Sequence, residues 1–321
     1  MVVMVNYAAE NVWSNLAEGS IVSIKRYSRE EHPALSVDGS QRSTAAVPTI
    51  VIRPTRGWMP ANIKELFEFR ELLYFLVWSD LRKRYKQTLL GAAWAVIQPV
   101  SIMLVFTVFF GIVVRVPTGE IPYPIFTYSG LVVWWYFSNA LSRSSRSLTE
   151  YKQLITKVYF PRLLLPVGTI IAGLVDFAYS FVVLVGLVGF YGFLHATASV
   201  LLLPLFVVLA MMTALAVSLW LSALNVQYRD AGLFLPVLVQ LWFFSTPIIY
   251  PASLIPESWR TFYEIINPMA GVVEGFRWAI LGRGDAPSPT TLALSVALVT
   301  MVFVGGLYYF RRIEKTFADV V

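Results

Sequence analysis

The sequence predicts an all-α membrane protein: six transmembrane helices with an N-terminal interfacial helix, a short cytoplasmic helix and outer re-entrant half-helices. Three observations predict it. No charged side chain lies between Gln87 and Val114, yet the five positions just before, Arg82 to Lys86, hold four cations. An apolar helix needs about 20 residues to cross bilayer hydrocarbon, and Arg or Lys at its centre costs roughly 2.5–3.5 kcal/mol. The composition is 57% hydrophobic and 14% charged, far from the roughly 25% charged residues of soluble domains. Further charge-free runs follow at 121–142, at 163–227 interrupted only by Asp176, at 231–256 and at 286–310.

Taken in order, residues 1–60 are a polar, irregular leader with no apolar core behind a basic start, so no secretory signal is expected there and a cytoplasmic location is. Residues 61–88 predict an amphipathic helix at the membrane interface. Asn62 caps it with Glu65 three residues on, and Ile63, Leu66 and Phe67 recur at helical spacing. Its apolar piece, Leu72 to Trp78, is too short to cross, which leaves Trp78 and the basic end at the headgroups. Such a helix serves as a simple anchor or as a lever touching a cytoplasmic partner.

The six spans fall within a transmembrane domain of residues 89–310, at about 89–114, 122–142, 163–190, 199–225, 232–250 and 289–310. The longest run divides at Tyr191 to His195, where glycine weakens a helix and the residues turn semi-polar. With both termini inside, the inner connections and the tail 311–321 carry fifteen Lys and Arg, against four outside: Arg115, Arg260, Arg277 and Arg283. The excess of basic residues on cytoplasmic loops predicts that orientation. It also accounts for the net charge of +6 without nucleic acid as a partner.

Two connections carry structure of their own. In the largest inner loop Ser147 and Glu150 form a capping-box pair, Tyr151, Leu154, Ile155, Val158 and Tyr159 follow one helical face, and Pro161 stops the helix. This helix either lies on lipid, with Lys152 and Lys157 toward phosphates, or docks into another protein. On the outside, 251–287 is aromatic and apolar but holds Glu257, Arg260, Glu264, Glu274 and Arg277. Two half-helices are expected, the second opened by Asn267-Pro268 as cap and first turn and ended by Gly282, with Met269, Val272, Val273, Phe276 and Ile280 on one face. About 14 residues reach only about 21 Å. This segment is a candidate outer gate, because irregular backbone at membrane depth survives only inside protein or along an aqueous cavity.

Enzyme chemistry has no visible apparatus, and no catalytic residue is assigned. No Lys follows a Gly, so the phosphate loop of an ATPase is missing. The two histidines, His32 and His195, have no carboxylate at metal-ligand spacing, there is no cysteine, and no pair of Asp is clustered for a metal-bound sugar nucleotide. No metal or cofactor is expected in this chain. Asp176 is the one acid deep in a span; it either pairs with a neighbouring helix, lies near a pore, or serves a proton-coupled carrier. Trp134, Trp135 and Trp242 fall near span centres, away from the headgroup belt where Trp collects. With their neighbours Tyr136, Phe137 and Phe243 they are candidate channel lining. Flat aromatic faces suit sugar rings, and tight helix packing explains them equally.

Several strings resemble one family, the membrane subunits of type-2 ATP-binding-cassette exporters that move O-antigen, capsule and teichoic acid chains. They are RELLYFLVWSDLRKRYKQTLLGAAWAVIQP (70–99), KVYFPRLLLP (157–166), LSALNVQYRD (221–230) and NPMAGVVEGFRWAILG (267–282). The similarity runs from about Arg53 to Ile313, with Ser79 standing where a basic residue is expected. The resemblance implies a homodimer of this subunit in the bacterial inner membrane. It also implies two copies of a separate ATPase subunit, which hold ATP and Mg, and a channel for a polyprenyl-diphosphate-linked polysaccharide. By the same resemblance, the helix from Thr149 to Phe160 is the coupling helix on the ATPase, through Thr149, Glu150, Tyr151, Leu154, Lys157 and Tyr159. Ile63 to Tyr85 is the interface helix, with Arg70, Asp80, Arg82, Arg84 and Tyr85, and 256–281 holds the gating helices, with Trp259, Phe276, Arg277 and Trp278. A drug or lipid exporter of the same architecture, a proton-coupled carrier using Asp176, and a membrane scaffold are the competing expectations.

Overall fold

A computed structural model of the chain describes residues 67–86, 91–158, 160–193, 198–228, 230–284 and 286–314. The leader and the Asn62–Glu65 cap lie outside them. The described residues form helices joined by turns and short loops, without strands. In chain order the helices are α1 (Arg70–Tyr85), α2 (Trp94–Phe106), α3 (Tyr123–Glu150), α4 (Lys152–Lys157), α5 (Leu164–Phe190), α6 (Leu203–Gln227), α7 (Asp230–Phe244), α8 (Glu257–Ile266), α9 (Pro268–Leu281) and α10 (Pro289–Glu314).

Four stretches are long and apolar enough to cross a membrane: Trp94–Val113, Leu164–Phe190, Ala198–Gln227 and Pro289–Glu314. The first is α2 prolonged by a π-helical stretch, Thr107–Val113, and the third is α6 with the tight turn that enters it. The expected span at 122–142 lies within α3, which has 28 residues but carries Ser, Asn and Arg along its second half. The expected span at 232–250 differs more. α7 stops at Phe244 after 15 residues, about 22 Å, because Ser245 to Tyr250 leave the helix in tight turns.

α3 is the central helix, packed on α5, α6 and α9, while α10 packs on α6 and α1 on α5. The larger core joins Tyr128, Leu131 and Phe137 of α3 to Phe206 of α6 and Phe276 of α9. A second cluster lies at the basic end, where Leu76, Leu148, Ile155, Phe160, Leu164, Leu219 and Phe310 meet. Outward faces remain apolar: Leu104, Phe109, Val182, Leu233 and Met301 are exposed, the pattern of a chain whose solvent is lipid.

Two helix ends differ from expectation. Ser147 and Glu150 do not cap a new helix: both belong to α3, and the Ser147 hydroxyl donates to the Ser144 carbonyl at 2.7 Å. Leu148, fully buried, keeps α3 in the core for another turn, and the short helix shrinks to the six residues of α4. Asn267 stands at the start of α9, but its side chain makes no cap there. Gly282 ends α9 as expected, with φ of 63° and its N–H on the Trp278 carbonyl at 3.0 Å.

α9 crosses α6 at Gly275, where an added Cβ would lie 2.1 Å from the Phe206 ring. Gly275→Ala should therefore overpack the larger core and cost about 1–3 kcal/mol, measured as a lower unfolding temperature of the detergent-purified protein.

Candidate functional site

The basic end is organised around α1. This helix packs beside α5 and runs in the same direction. Leu73, Leu76 and Val77 pack at Gly168, where the missing side chain lets the helices close. Eight residues further along each helix, Arg84 and Tyr85 reach Asp176: the guanidinium and the phenol both donate to its carboxylate. Arg84 also pairs with Asp80 one turn back. The Tyr85 ring meets Tyr179 edge-on at 6.5 Å, and the Ser180 hydroxyl donates to the Ala95 carbonyl at 2.8 Å. Burial and the Asp176 hydrogen bond push the Tyr85 phenol well above its usual range, so it stays a donor.

Of the arrangements expected for Asp176, the contacts show pairing with a neighbouring helix, from near the middle of the apolar stretch Leu164–Phe190. Before it, Leu164, Leu165, Gly168, Ile170, Ala172 and Gly173 are buried in protein; beyond it, Tyr179, Val182 and Phe190 are exposed.

The turn between α3 and α4 sits against α1. Lys83 Nζ lies 4.1 Å from the Tyr151 ring centroid, and burial, followed by the nearby Asp80 and Glu150 carboxylates, pushes the Tyr151 phenol up to about 12. Ile155 is buried in the basic-end cluster and Leu154 packs against it. Thr149, Glu150 and Lys157 are exposed, as are Arg70 and Arg82, so the turn presents mixed charge on a rigid apolar footing. Tyr159 lies outside the described residues. Behind the turn, Arg162 donates through its backbone N–H to the Glu314 carboxylate at 3.3 Å and through its guanidinium to the Glu314 carbonyl, which ties the start of α5 to the end of α10.

At the opposite end the aromatics close on one another. Phe137 meets Trp242 at 4.9 Å, Trp134 meets Phe243 at 5.6 Å, and Phe243 stacks on Phe106 at 6.0 Å. Trp134, Tyr136 and Phe137 are buried within the subunit, while Trp135, Trp242 and Phe243 are half-buried. The hub of this region is Asn267. It accepts from Trp242 Nε1 at 2.8 Å and donates to the Ser245 carbonyl at 2.8 Å and the Thr246 hydroxyl at 3.2 Å. Sequence reasoning had assigned Asn267 only to a cap. A partner 25 residues away leaves no local signal. Of the residues expected at an outer gate, Trp259 is exposed on α8, Trp278 is half-buried, and Phe276 and Arg277 are buried in α9. Between α7 and α8 lies a cavity of about 570 Å³ lined by Leu238, Trp242, Tyr250, Trp259 and Phe262.

Comparison with known proteins places these features. Residues 71–281 match the family described as ABC-2 type transporter. The O-antigen export system permease protein RfbA of Myxococcus xanthus is 31% identical over 261 residues, 81% of this chain and 98% of that protein. The protein of the same name from Klebsiella pneumoniae is 29% identical over 82% of this chain and 98% of its own length. The polysialic acid transport protein KpsM of Escherichia coli is 24% identical over 73% of this chain and 91% of its own.

Two substitutions test the geometry. Asp176→Asn removes the acceptor charge from Arg84 while Asp80 remains, and should loosen α1 from α5 by about 1.5–3 kcal/mol, seen as faster tryptic cleavage at 82–86. Trp242→Phe keeps the ring packing but leaves the Asn267 oxygen without its donor, at a cost of about 1–3 kcal/mol, read by thermal unfolding.

Proposed function

We propose that this chain, which belongs to the ABC-2 type transporter family, is the permease subunit of an ATP-driven exporter that moves a lipid-linked, O-antigen-like polysaccharide outward across the bacterial inner membrane. The observation that carries this reading is similarity to O-antigen export permeases along nearly their whole length. The functional assembly is two copies of the chain with two copies of a separate ATPase subunit, which binds ATP and Mg. Both termini face the cytoplasm, where the ATPase docks on the α3–α4 turn.

The chain's own contribution is mechanical. ATP-driven closure of the two ATPases displaces the turn that carries Thr149, Glu150, Tyr151, Leu154 and Lys157. Lys83 on the Tyr151 ring and the Arg84–Asp176 pair pass that displacement to α1 and α5. A ligand shifts a conformational equilibrium only through its differential contact with the two states, and the exposed turn is the surface on which that contact is made. The half-buried rings of Trp135, Trp242 and Phe243 are the aromatic faces left for the sugar chain, and the α8–α9 pair is the outer gate. A proton-coupled carrier would rest on Asp176, which Arg84 and Tyr85 already engage.

Depletion in the host should remove surface polysaccharide and accumulate polyprenyl-linked polymer on the inner side. Altered drug sensitivity without that accumulation would instead indicate an exporter of drugs or lipids. Lys157→Glu together with Glu150→Lys, both on the exposed turn, should leave the chain's membrane level unchanged and reduce the co-purified ATPase about ten-fold, roughly 1.4 kcal/mol of docking energy.

A further inference from the structure

α3 runs unbroken from Tyr123 to Glu150, about 42 Å at 1.5 Å per residue, and its foot passes directly into the coupling turn, where the Tyr151 N–H donates to the Ser147 carbonyl at 3.0 Å. At its head stands Arg277 of α9, a side chain that the exporter reading counts with the outer gate without saying what it does there. The residue is only 5% exposed. Its Nε donates to the Phe126 carbonyl at 3.2 Å, and its Nη2 donates to the Pro247 carbonyl at 2.9 Å. Its Cζ lies 3.7 Å from the centroid of the Phe126 ring.

Among the described residues no carboxylate lies within ion-pair distance of Arg277. The Glu274 carboxylate, three residues back on α9, favours the cation from beyond that distance; burying the charge is costly all the same, and an apolar side chain of similar volume commonly replaces buried charge without loss of stability. What apolar packing cannot supply is register, because burial of hydrocarbon is non-directional and lets one helix slide along another. One hydrogen bond to the Phe126 carbonyl and a cation on the Phe126 ring fix α9 to one turn of α3, while the second hydrogen bond holds the turn after α7 at Pro247. The slot is made by Gly130, where an added Cβ would stand 2.9 Å from Nη2. Tyr123 ties the same turn to the head of α3, donating to the Ile249 carbonyl at 2.9 Å.

We infer that Arg277 is a positioning residue that locks α9, the second outer half-helix, to the head of α3, so that displacement of the coupling turn arrives at the outer gate as rigid-body movement. This rests on the exporter reading and assigns a residue to its long-range step.

The test uses the permease–ATPase complex reconstituted in vesicles with lipid-linked polysaccharide, measuring ATP hydrolysis and polymer translocated per ATP. Arg277→Met removes the charge and keeps the bulk; Gly130→Ala leaves Arg277 in place and closes its slot. Both complexes are expected to hydrolyse ATP within about two-fold of the unaltered complex while polymer moved per ATP falls about ten-fold or more, within the usual range of coupling between distant sites. Unchanged export per ATP in either assembled variant, or hydrolysis and export falling in parallel, overturns the inference. If Arg277→Met alone fails to assemble, Gly130→Ala decides; failure of both to assemble makes the contact a folding requirement and also overturns it. Should the unaltered complex hydrolyse ATP and move no polymer, the exporter reading fails instead.

Discussion

Hydrocarbon offers no partner to a polar group, and that constraint organises this chain. Most of its buried polar side chains are answered within the same molecule, many by a carbonyl of their own helix, and a few of those answers join two elements. Asp176 draws Arg84 and Tyr85 onto α5. Asn267 gathers the indole of Trp242 and the turn after α7. Ser144 joins Ser218 across the α3–α6 contact at 2.8 Å. Apolar packing supplies most of the cohesion, but these directional contacts set which residues face one another.

The two ends of the molecule are built differently as a result. At the basic end, a hydrophobic cluster is stitched by ions on its rim: Arg84 with Asp176, Lys83 over Tyr151, and Arg162 with Glu314. Such contacts tolerate water and suit a surface that is pushed. At the opposite end the buried polar contacts involve backbone carbonyls, indole and amide together with Arg277, while the ion pairs Arg260–Glu264 and Arg283–Glu120 lie nearer the surface. The buried contacts hold the outer half-helices in fixed register with α3 and α7. α3, α5 and α6 belong to both regions, and α3 passes directly into the turn before α4, which is why its continuity through Ser147 and Glu150 matters more than the length of the short helix that follows it.

Much of this was legible in the residues. The charge-free runs marked the apolar helices, Gly282 marked the end of α9, and the strings at 70–99 and 267–282 carried the family. The misreadings share a cause. Ser147 with Glu150, and Asn267 before Pro268, are the side chains that cap helices, yet the same side chains serve inside a helix or across a tertiary contact. Local pattern does not separate those uses: Leu148 decided the first by its burial and Trp242 the second by its indole. Asp176 pairs with α1, one of the arrangements expected for it, but local pattern does not choose among them, because burial in protein imposes the same composition as burial in a bilayer. The register of α1 along α5, and the Gly130 slot for Arg277, depend on side chains that meet over 92 and 147 positions of sequence and had no local signal.

The brevity of α7 has a bearing on the surrounding bilayer. A helix of 15 residues is several ångströms shorter than the roughly 30 Å of hydrocarbon it stands in. A bilayer accommodates an apolar helix shorter than its hydrocarbon by local thinning, or the helix does so by associating with others, at a modest free-energy cost per ångström; α7 is the element of this chain on which that cost would fall.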